Sequence, residues 1–275
     1  MGLRINTNVA SIAAQSSLGK TQRQLESAMM QLASGSRFAK MDEGAGDFAI
    51  AEHLRGQVKS MEAARNNASN ASSFVQVAEG GLNEQNNILI RQRELAIQAA
   101  SDTFSDNERG FMDSEYQQLG QEFDRIAQST TFGSQKLLAG DSKEYEFQVG
   151  AYGGPENIIK YKADTNTTSS AMGVSGTSVA DKSDARDSLE SVDAALEKIA
   201  GARANFGAMQ SRLDSVVNNS NTQITNLTEA HSKIADTDYA KAVSEMVKAQ
   251  ALQQYQVAVL NQANQYPSSV LKLIG

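Results

Sequence analysis

Apolar residues recur along most of this chain at steps of three and four, the spacing that places them on one face of an α-helix. In the first such segment, residues 3–33, Leu18, Leu25 and Leu32 lie seven residues apart, which is the seam spacing of a coiled coil. Further segments predict a very long second helix, a third helix that Ser105 or Asp106 caps, and two more helices towards the C-terminus. These lie over residues 47–100, 105–128, from about 184, and 239–266.

The middle of the chain departs from this helical pattern. Tyr145, Phe147 and Val149 alternate with polar residues, and a second apolar run follows the turn residues at 153–155, which predicts a β-hairpin. The Ser-, Thr- and Gly-rich residues 164–184 predict an exposed loop. We therefore expect a mainly α protein: a long antiparallel helical bundle or coiled-coil-like hairpin, with a small β-hairpin region in the middle and its two ends side by side.

The C-terminus is unusually apolar. Val270, Leu271 and Leu273 follow Pro267, which we expect to end the last helix because proline disfavours a helical conformation in the residue before it. Termini are usually polar and frayed unless something holds them. A single helix with a thin apolar stripe is marginally stable, so we expect the tails to be loose in the free subunit and ordered by partners. The ending therefore predicts an assembly surface.

Composition and charge exclude several classes of function. The net charge of −7 argues against a nucleic acid as the main ligand, because binding phosphates needs a basic surface. The absence of cysteine excludes disulfides and cysteine-based sites. No apolar stretch is long enough to span a membrane, and the first residues lack the pattern of a secretory signal. These rules predict a cytoplasmic protein unless export uses a dedicated apparatus.

Residues capable of catalysis are scarce. His53 and His231 show no metal-binding spacing, and the glycines near residue 153 are not followed by the Lys-Ser/Thr of a phosphate loop. Asp236 and Asp238 precede a predicted helix, where capping explains them better than an acid–base pair does. The sequence predicts no enzyme, no cofactor and no metal.

Long, ordered motifs carry a family resemblance. "INTNVASIAAQSSL", "ASNASSFVQVAEGGLNE" and "FQVGAYGG" resemble the N-terminal half of bacterial flagellin, and the stretch from "NFGAMQSRLDSVV" to "ANQYPSSVLKLIG" resembles its C-terminal half. The resemblance covers residues 3–162 and 186–275. Only residues 140–185 stand where many flagellins carry large outer domains, so this is a short form.

The resemblance implies a structural subunit that polymerises into the extracellular flagellar filament for motility. It also implies export of the unfolded chain by the flagellar type III apparatus, a secretion chaperone at the C-terminal helices, and hook-associated and cap proteins as partners. It divides the chain into an N-terminal filament-core helix, two parts of an inner spoke domain and a C-terminal filament-core helix, over residues 1–41, 42–180, 181–235 and 236–275.

Two sets of site residues follow. Recognition by a Toll-like receptor is implied by a family motif that Arg91, Leu95 and Glu122 match, although Ile90 departs from it. Polymerisation is assigned to apolar residues of the terminal helices, namely Val9, Ile12, Leu18, Leu25, Leu32, Val243, Met246, Leu252, Val259, Val270, Leu271 and Leu273.

Other functions remain open at this point. The nearest is a hook–filament junction protein of the same machinery. An enzyme inserted into the middle of the chain would need more than the roughly 45 residues present there. A cytoplasmic coiled-coil adaptor would share the helices but would not form filaments, and a basic N-terminal helix lying on a membrane would need a broader apolar face.

Overall fold

The computed structural model describes residues 8–38, 44–140, 143–162 and 165–274, excluding the side chains of residues 266–274. Its architecture is mainly α, which confirms the predicted fold class. In chain order the helices are α1 (Val9–Ser34), α2 (Ala45–Ala99), α3 (Asp106–Ser129), α4 (Ser169–Met172), α5 (Lys182–Ala235) and α6 (Tyr239–Ile274). The strands are β1 (Thr131–Phe132), β2 (Gln135–Lys136), β3 (Glu144–Gln148) and β4 (Ile158–Lys162).

The chain divides into two compact units. The terminal unit comprises Met1–Val58 and Thr225–Gly275, and the central unit comprises Lys59–Ile224. In the terminal unit α1 and α6 run antiparallel, because Asn8 lies beside Ala263 while Gly35 and Thr237 are hydrogen bonded at the opposite end. The assignment of the terminal segments to a filament core stays a prediction.

Local capping explains where several helices begin and end. The Ser105 backbone N–H donates to the Glu108 carboxylate at 2.8 Å at the start of α3, and this bond holds the pKa of Glu108 below its ordinary value. The Asp238 carboxylate accepts from the Lys241 backbone N–H at 3.1 Å, so Asp238 caps α6 as predicted. Gly35 caps the C-terminal end of α1, and its φ of 70° lies in the left-handed region that favours glycine.

An aromatic cluster joins the β-hairpin to the helices of the central unit. β3 and β4 pair antiparallel, and their Tyr145, Phe147 and Tyr161 rings lie 5.1–6.1 Å from the ring of Phe74 in α2. Tyr161 also contacts Phe206 of α5, with ring centroids 5.3 Å apart. The hairpin prediction is confirmed, but residues 149–157 connect the strands and include a 3₁₀ turn at Pro155–Asn157, so the connection is longer than a tight turn.

The predicted exposed loop at residues 164–184 is wrong over much of its length. Thr167 and Val179 are fully buried, and a short helix, α4, lies within the segment. Two carboxylates of α3 account for this, because Asp124 accepts from the backbone N–H of Ser169 at 2.7 Å and Asp113 accepts from that of Val179 at 2.8 Å. Buried polar groups are tolerated when they are hydrogen bonded in this way.

The predicted end of the last helix at Pro267 is also wrong, because α6 continues to Ile274. A proline inside a helix removes one hydrogen bond, since it has no N–H to donate to the carbonyl four residues earlier. That carbonyl belongs to Ala263, and it accepts instead from the Asn8 side-chain amide at 2.8 Å. A bond from outside the helix therefore replaces the lost one.

Adjacent glycines in α2 give a matched prediction. A Cβ at Gly80 would meet nothing within 4 Å, whereas one at Gly81 would lie 2.6 Å from Thr130 Oγ1 and 2.9 Å from Leu138 Cδ1. We expect Gly80→Ala to raise the free energy of unfolding of the central unit by about 0.5–1 kcal/mol. We expect Gly81→Ala to lower it by about 1–3 kcal/mol, because the crowded side chains must move. Urea denaturation followed by circular dichroism measures both, and a gain in stability for Gly81→Ala would contradict the packing described.

Candidate interaction surface of the terminal helices

The contact between α1 and α6 is a heptad seam made largely of small and polar side chains. On both helices the more buried positions alternate at steps of three and four. On α1 they are Ser11, Ala14, Leu18, Thr21, Leu25, Ala28 and Leu32, and on α6 they are Ala242, Met246, Ala249, Gln253, Gln256, Leu260 and Ala263. The seam contains few large apolar residues. Because α6 packs against a single helix, the seam covers only one face of each helix.

Apolar side chains surround the rest of α6. At about 100° per residue, Val243, Val247, Leu252, Tyr255, Val257 and Val259 fall on nearly every direction away from the seam, and all are at least 38% exposed. Val9 and Ile12 of α1 are likewise 66% and 58% exposed. A helix that exposes apolar side chains in so many directions is typically covered by further protein in an assembly. One partner helix therefore leaves most of the apolar surface of α6 uncovered.

The scarcity of charged residues on α6 also indicates that more than one neighbouring helix covers it. Its only acidic residue is Glu245, and no charged residue occurs from Ala249 to Leu271. The central unit, by contrast, carries many exposed ion pairs, such as Arg93 with Asp193 at 2.6 Å and Lys182 with Asp102 at 2.6 Å. Exposed helices of soluble monomers usually carry charges on their outer face, so this uncharged stretch of α6 is suited to a protein environment.

A groove of about 700 Å³ opens along the α1–α6 pair. The buried alanines Ala28 and Ala249 line it, together with the cationic side chains of Lys20, Arg23 and Lys248. Alanine at the seam leaves space that a larger side chain would fill. The groove is therefore a second feature of the terminal unit that can receive a neighbouring chain.

The structure separates the residues predicted for polymerisation into two groups. Leu18, Leu25, Leu32 and Met246 are half-buried in the seam, where they hold α1 and α6 together. The outward-facing members are Val9, Ile12, Val243, Leu252 and Val259. The side chains of Val270, Leu271 and Leu273 lie outside the part of the chain that the structure describes.

The sequence pattern placed Ala249 and Ala263 on the apolar stripe of the last helix, but it missed Ala242 and the polar end of the seam at Asn8 and Ser11. The recurrence of alanine at positions 242, 249 and 263 was a signal that could have found the seam in α6. Asn8 gave no such signal, because its contact with Ala263 joins residues 255 positions apart.

The predicted receptor positions do not share one exposed surface. Arg91 is exposed and pairs with Glu115 at 2.8 Å, and hydrogen bonding to that carboxylate is the main cause that raises the pKa of Arg91. Glu122 is half-buried and pairs with Arg125 at 2.6 Å, which lowers the pKa of Glu122. Leu95 is only 2% exposed, so it supports the fold and is not available for contact as the chain stands.

No constellation for catalysis or metal binding emerges from the described residues. Within the described ranges no three His, Cys, Asp or Glu side chains are grouped as metal ligands would be. Among those same residues, none of the helices has the length and apolar character needed to cross a membrane.

Comparison with known proteins identifies the family. The model described as the bacterial flagellin N-terminal helical region matches residues 5–143, and the one described as the C-terminal helical region matches residues 189–274. The chain belongs to the bacterial flagellin family. A flagellin from Halalkalibacterium halodurans is 34% identical over 273 residues, which cover 98% of this chain and 99% of that one. The chain is thus a short flagellin without large outer domains.

Solved structures agree with this membership. The crystal structure of Bacillus cereus flagellin matches with a TM-score of 0.51 and 31% identity, covering 60% of this chain and 94% of that one. A Vibrio parahaemolyticus structure described as a putative flagellar hook-associated protein matches with a TM-score of 0.60 over 70% of this chain, but at 12% identity this shows the fold alone. Flagellin is a structural protein, so the chain is a structural component of the extracellular flagellar filament and not an enzyme.

Proposed function

We propose that the exposed apolar residues of α1 and α6 are the surfaces through which copies of this flagellin polymerise into the filament. The observation that carries the proposal is that apolar side chains lie on all sides of α6 while α1 covers only one of them. Neighbouring subunits that present the same two helices would cover the remainder. In this arrangement residues 1–41 and 236–275 form the filament core, and residues 42–180 and 181–235 form the spoke domain.

Two features indicate that α1 and α6 are stabilised by neighbouring subunits more than by their contact with each other within one chain. The seam is poor in large apolar residues, so burial along it stabilises the α1–α6 pair only modestly. The outward-facing residues add stabilisation only when neighbours are present. The tails are therefore expected to be looser in the free subunit, where the α1–α6 pair opens more often, than in the filament, which limited proteolysis of the two forms would test.

Export and its partners extend the proposal. Family membership suggests that the unfolded chain leaves the cell through the flagellar type III apparatus. Before export, an apolar helix such as α6 would aggregate unless it were covered, so we propose that a secretion chaperone binds the C-terminal helices. Hook-associated and cap proteins would meet the same terminal surfaces at the ends of the filament.

We propose recognition by a Toll-like receptor only from the match of three residues to the family motif. Arg91 and Glu122 are accessible, whereas Leu95 would act by holding α2 in place. A reporter-cell assay with Arg91→Ala tests this, and an unchanged response to that variant would remove Arg91 from the recognition surface.

The second candidate is a hook–filament junction protein. The hook-associated structure shares its fold with flagellins and does not decide between the two functions, whereas the relative at 34% identity over nearly the whole chain favours a filament subunit. The two functions differ in one outcome. A filament subunit extends seeds into long filaments, whereas a junction protein adds only a short, limited layer.

Seeded polymerisation followed by electron microscopy tests the proposed function. We expect the unchanged chain to form micrometre-long filaments. The double variant Ile12→Gln/Val243→Gln removes two outward apolar side chains, and we expect it to raise the critical concentration at least ~10-fold because that burial is lost.

Gln250→Ala is the matched control, since it changes an exposed polar residue on the same helix. Its critical concentration should stay within about two-fold of the unchanged chain. Equal growth of the Ile12/Val243 double variant and the control would show that these residues are not at the assembly interface.

A further inference from the structure

The backbone carbonyl of Ala263 lacks its usual partner within α6. In an α-helix each carbonyl accepts from the N–H four residues later. For Ala263 that residue is Pro267, which has no N–H, although the helix continues through it to Ile274. Ala263 is only 7% exposed. A buried carbonyl without a donor is destabilising, so this position requires a donor from elsewhere.

Asn8 supplies that donor from the opposite end of the sequence. Its Nδ2 donates to the Ala263 carbonyl at 2.8 Å, while its Oδ1 accepts from the Ser11 backbone N–H at 3.1 Å and so caps α1. Beside it the buried Ser11 hydroxyl donates to Asn264 Oδ1 at 2.8 Å. The Asn8 side chain thus caps the start of α1 and also supplies the hydrogen bond that the Ala263 carbonyl of α6 lacks. Aspartate would supply the acceptor but not the donor.

The rest of the seam does little to fix how far α1 is shifted along α6. Several positions seven residues apart along it carry similar side chains, namely Leu18, Leu25 and Leu32 on α1, and Ala242 and Ala249 on α6. A heptad seam of like residues tolerates a shift of one helix along the other unless polar contacts select one alignment.

At the other end of the pair, specific bonds do select the alignment. The Thr237 backbone N–H donates to the Gly35 carbonyl at 2.9 Å, and the Tyr239 hydroxyl donates to the Leu32 carbonyl at 3.2 Å. These contacts lie close to the connection that follows α1. The start of α1 lies at the far end of this helix of 26 residues, where Asn8 and Ser11 make separate contacts with α6.

We propose that Asn8 and Pro267 form a clasp that joins the start of α1 to α6. Pro267 leaves the Ala263 carbonyl without a donor from its own helix, and Asn8 binds that carbonyl. Asn8 is thereby a positioning residue: by capping α1 and binding Ala263 it fixes the first turn of α1, which carries the exposed Val9 and Ile12, against α6. The consequence for filament growth rests on the proposed function, whereas the clasp itself is a property of the single chain.

A double-mutant cycle on the full-length chain tests the clasp. Asn8→Ser keeps a capping oxygen for α1 but is too short to reach Ala263. Pro267→Ala restores the N–H that the Ala263 carbonyl lacks. We expect Asn8→Ser alone to raise the critical concentration for seeded polymerisation about 10-fold, because it leaves a buried acceptor unpaired. In the Pro267→Ala background the same change should have an effect of less than about two-fold.

Hydrogen exchange of residues 258–266 gives a second readout that does not depend on polymerisation. In the purified subunit Asn8→Ser should speed exchange there about 10-fold while Pro267 is present, and should change it little in the Pro267→Ala background. Asn261→Ser, which alters an exposed asparagine on α6, is the matched control and should change neither readout.

The outcomes separate the clasp from the proposed function. Equal effects of Asn8→Ser in both backgrounds, or no effect in either, would overturn the clasp. Failure of the unchanged chain to extend seeds would count against the filament proposal, while the exchange measurement would still decide for or against the clasp.

Discussion

Removal of residues 240–275 is expected to abolish filament growth while leaving the central unit folded. The deletion takes away nearly all of α6, and with it both the seam partner of α1 and the apolar surface that lies on the other sides of the helix. The buried cluster of Phe74, Phe123 and Phe206 belongs to the central unit and is untouched. Seeded polymerisation measures the first effect, and circular dichroism during urea denaturation measures the second.

The urea midpoint of the central unit is the internal control for this deletion. It should match that of the full chain, because no residue of Lys59–Ile224 is removed. Filaments grown from the truncated chain would refute the role proposed for α6. Loss of the central-unit transition would instead show that the two units do not fold independently, and the deletion would then have to be replaced by the outward-facing substitutions.

The helices could be predicted because their determinants are local. Heptad-spaced leucines, the Ser105 cap and the Asp238 cap each act within a few residues, and the observed bounds of α2 and α3 lie within two residues of those expected. Family motifs identified the assembly as flagellar. The five outward-facing candidates were included in the predicted set as well, but the sequence did not separate them from the four that lie in the seam.

The wrong predictions share one cause, which is pairing at long range. Residues 164–184 look like a solvated loop until the carboxylates of Asp113 and Asp124, 66 and 45 positions from the backbone N–H groups they bind, are seen to hold the segment. Pro267 looks like the end of a helix until Asn8 is seen to replace the missing bond. The burial of Leu95 depends in the same way on how α2 packs in the central unit, while its role in receptor recognition stays a prediction. None of these contacts follows from sequence spacing.

Phe74→Ala is expected to destabilise the central unit by about 3–5 kcal/mol, the largest effect we predict for a single substitution. Phe74 is 4% exposed, and its ring lies within 6.1 Å of four aromatic rings, three of them on β3 and β4 and the fourth that of Phe132 on β1. Removing it leaves a cavity and loses the edge-on contacts that attach the hairpin to α2.

Phe111→Ala is the matched control for that substitution. Phe111 is 77% exposed on α3, so the same chemical change should alter the free energy of unfolding by less than about 0.5 kcal/mol. Urea denaturation of both purified variants, followed by far-ultraviolet circular dichroism, gives the comparison. Similar losses for the two would mean that the aromatic cluster does not hold the hairpin. A loss confined to Phe74→Ala, together with faster amide exchange in β3 and β4, would establish that the cluster joins the hairpin to the long helices.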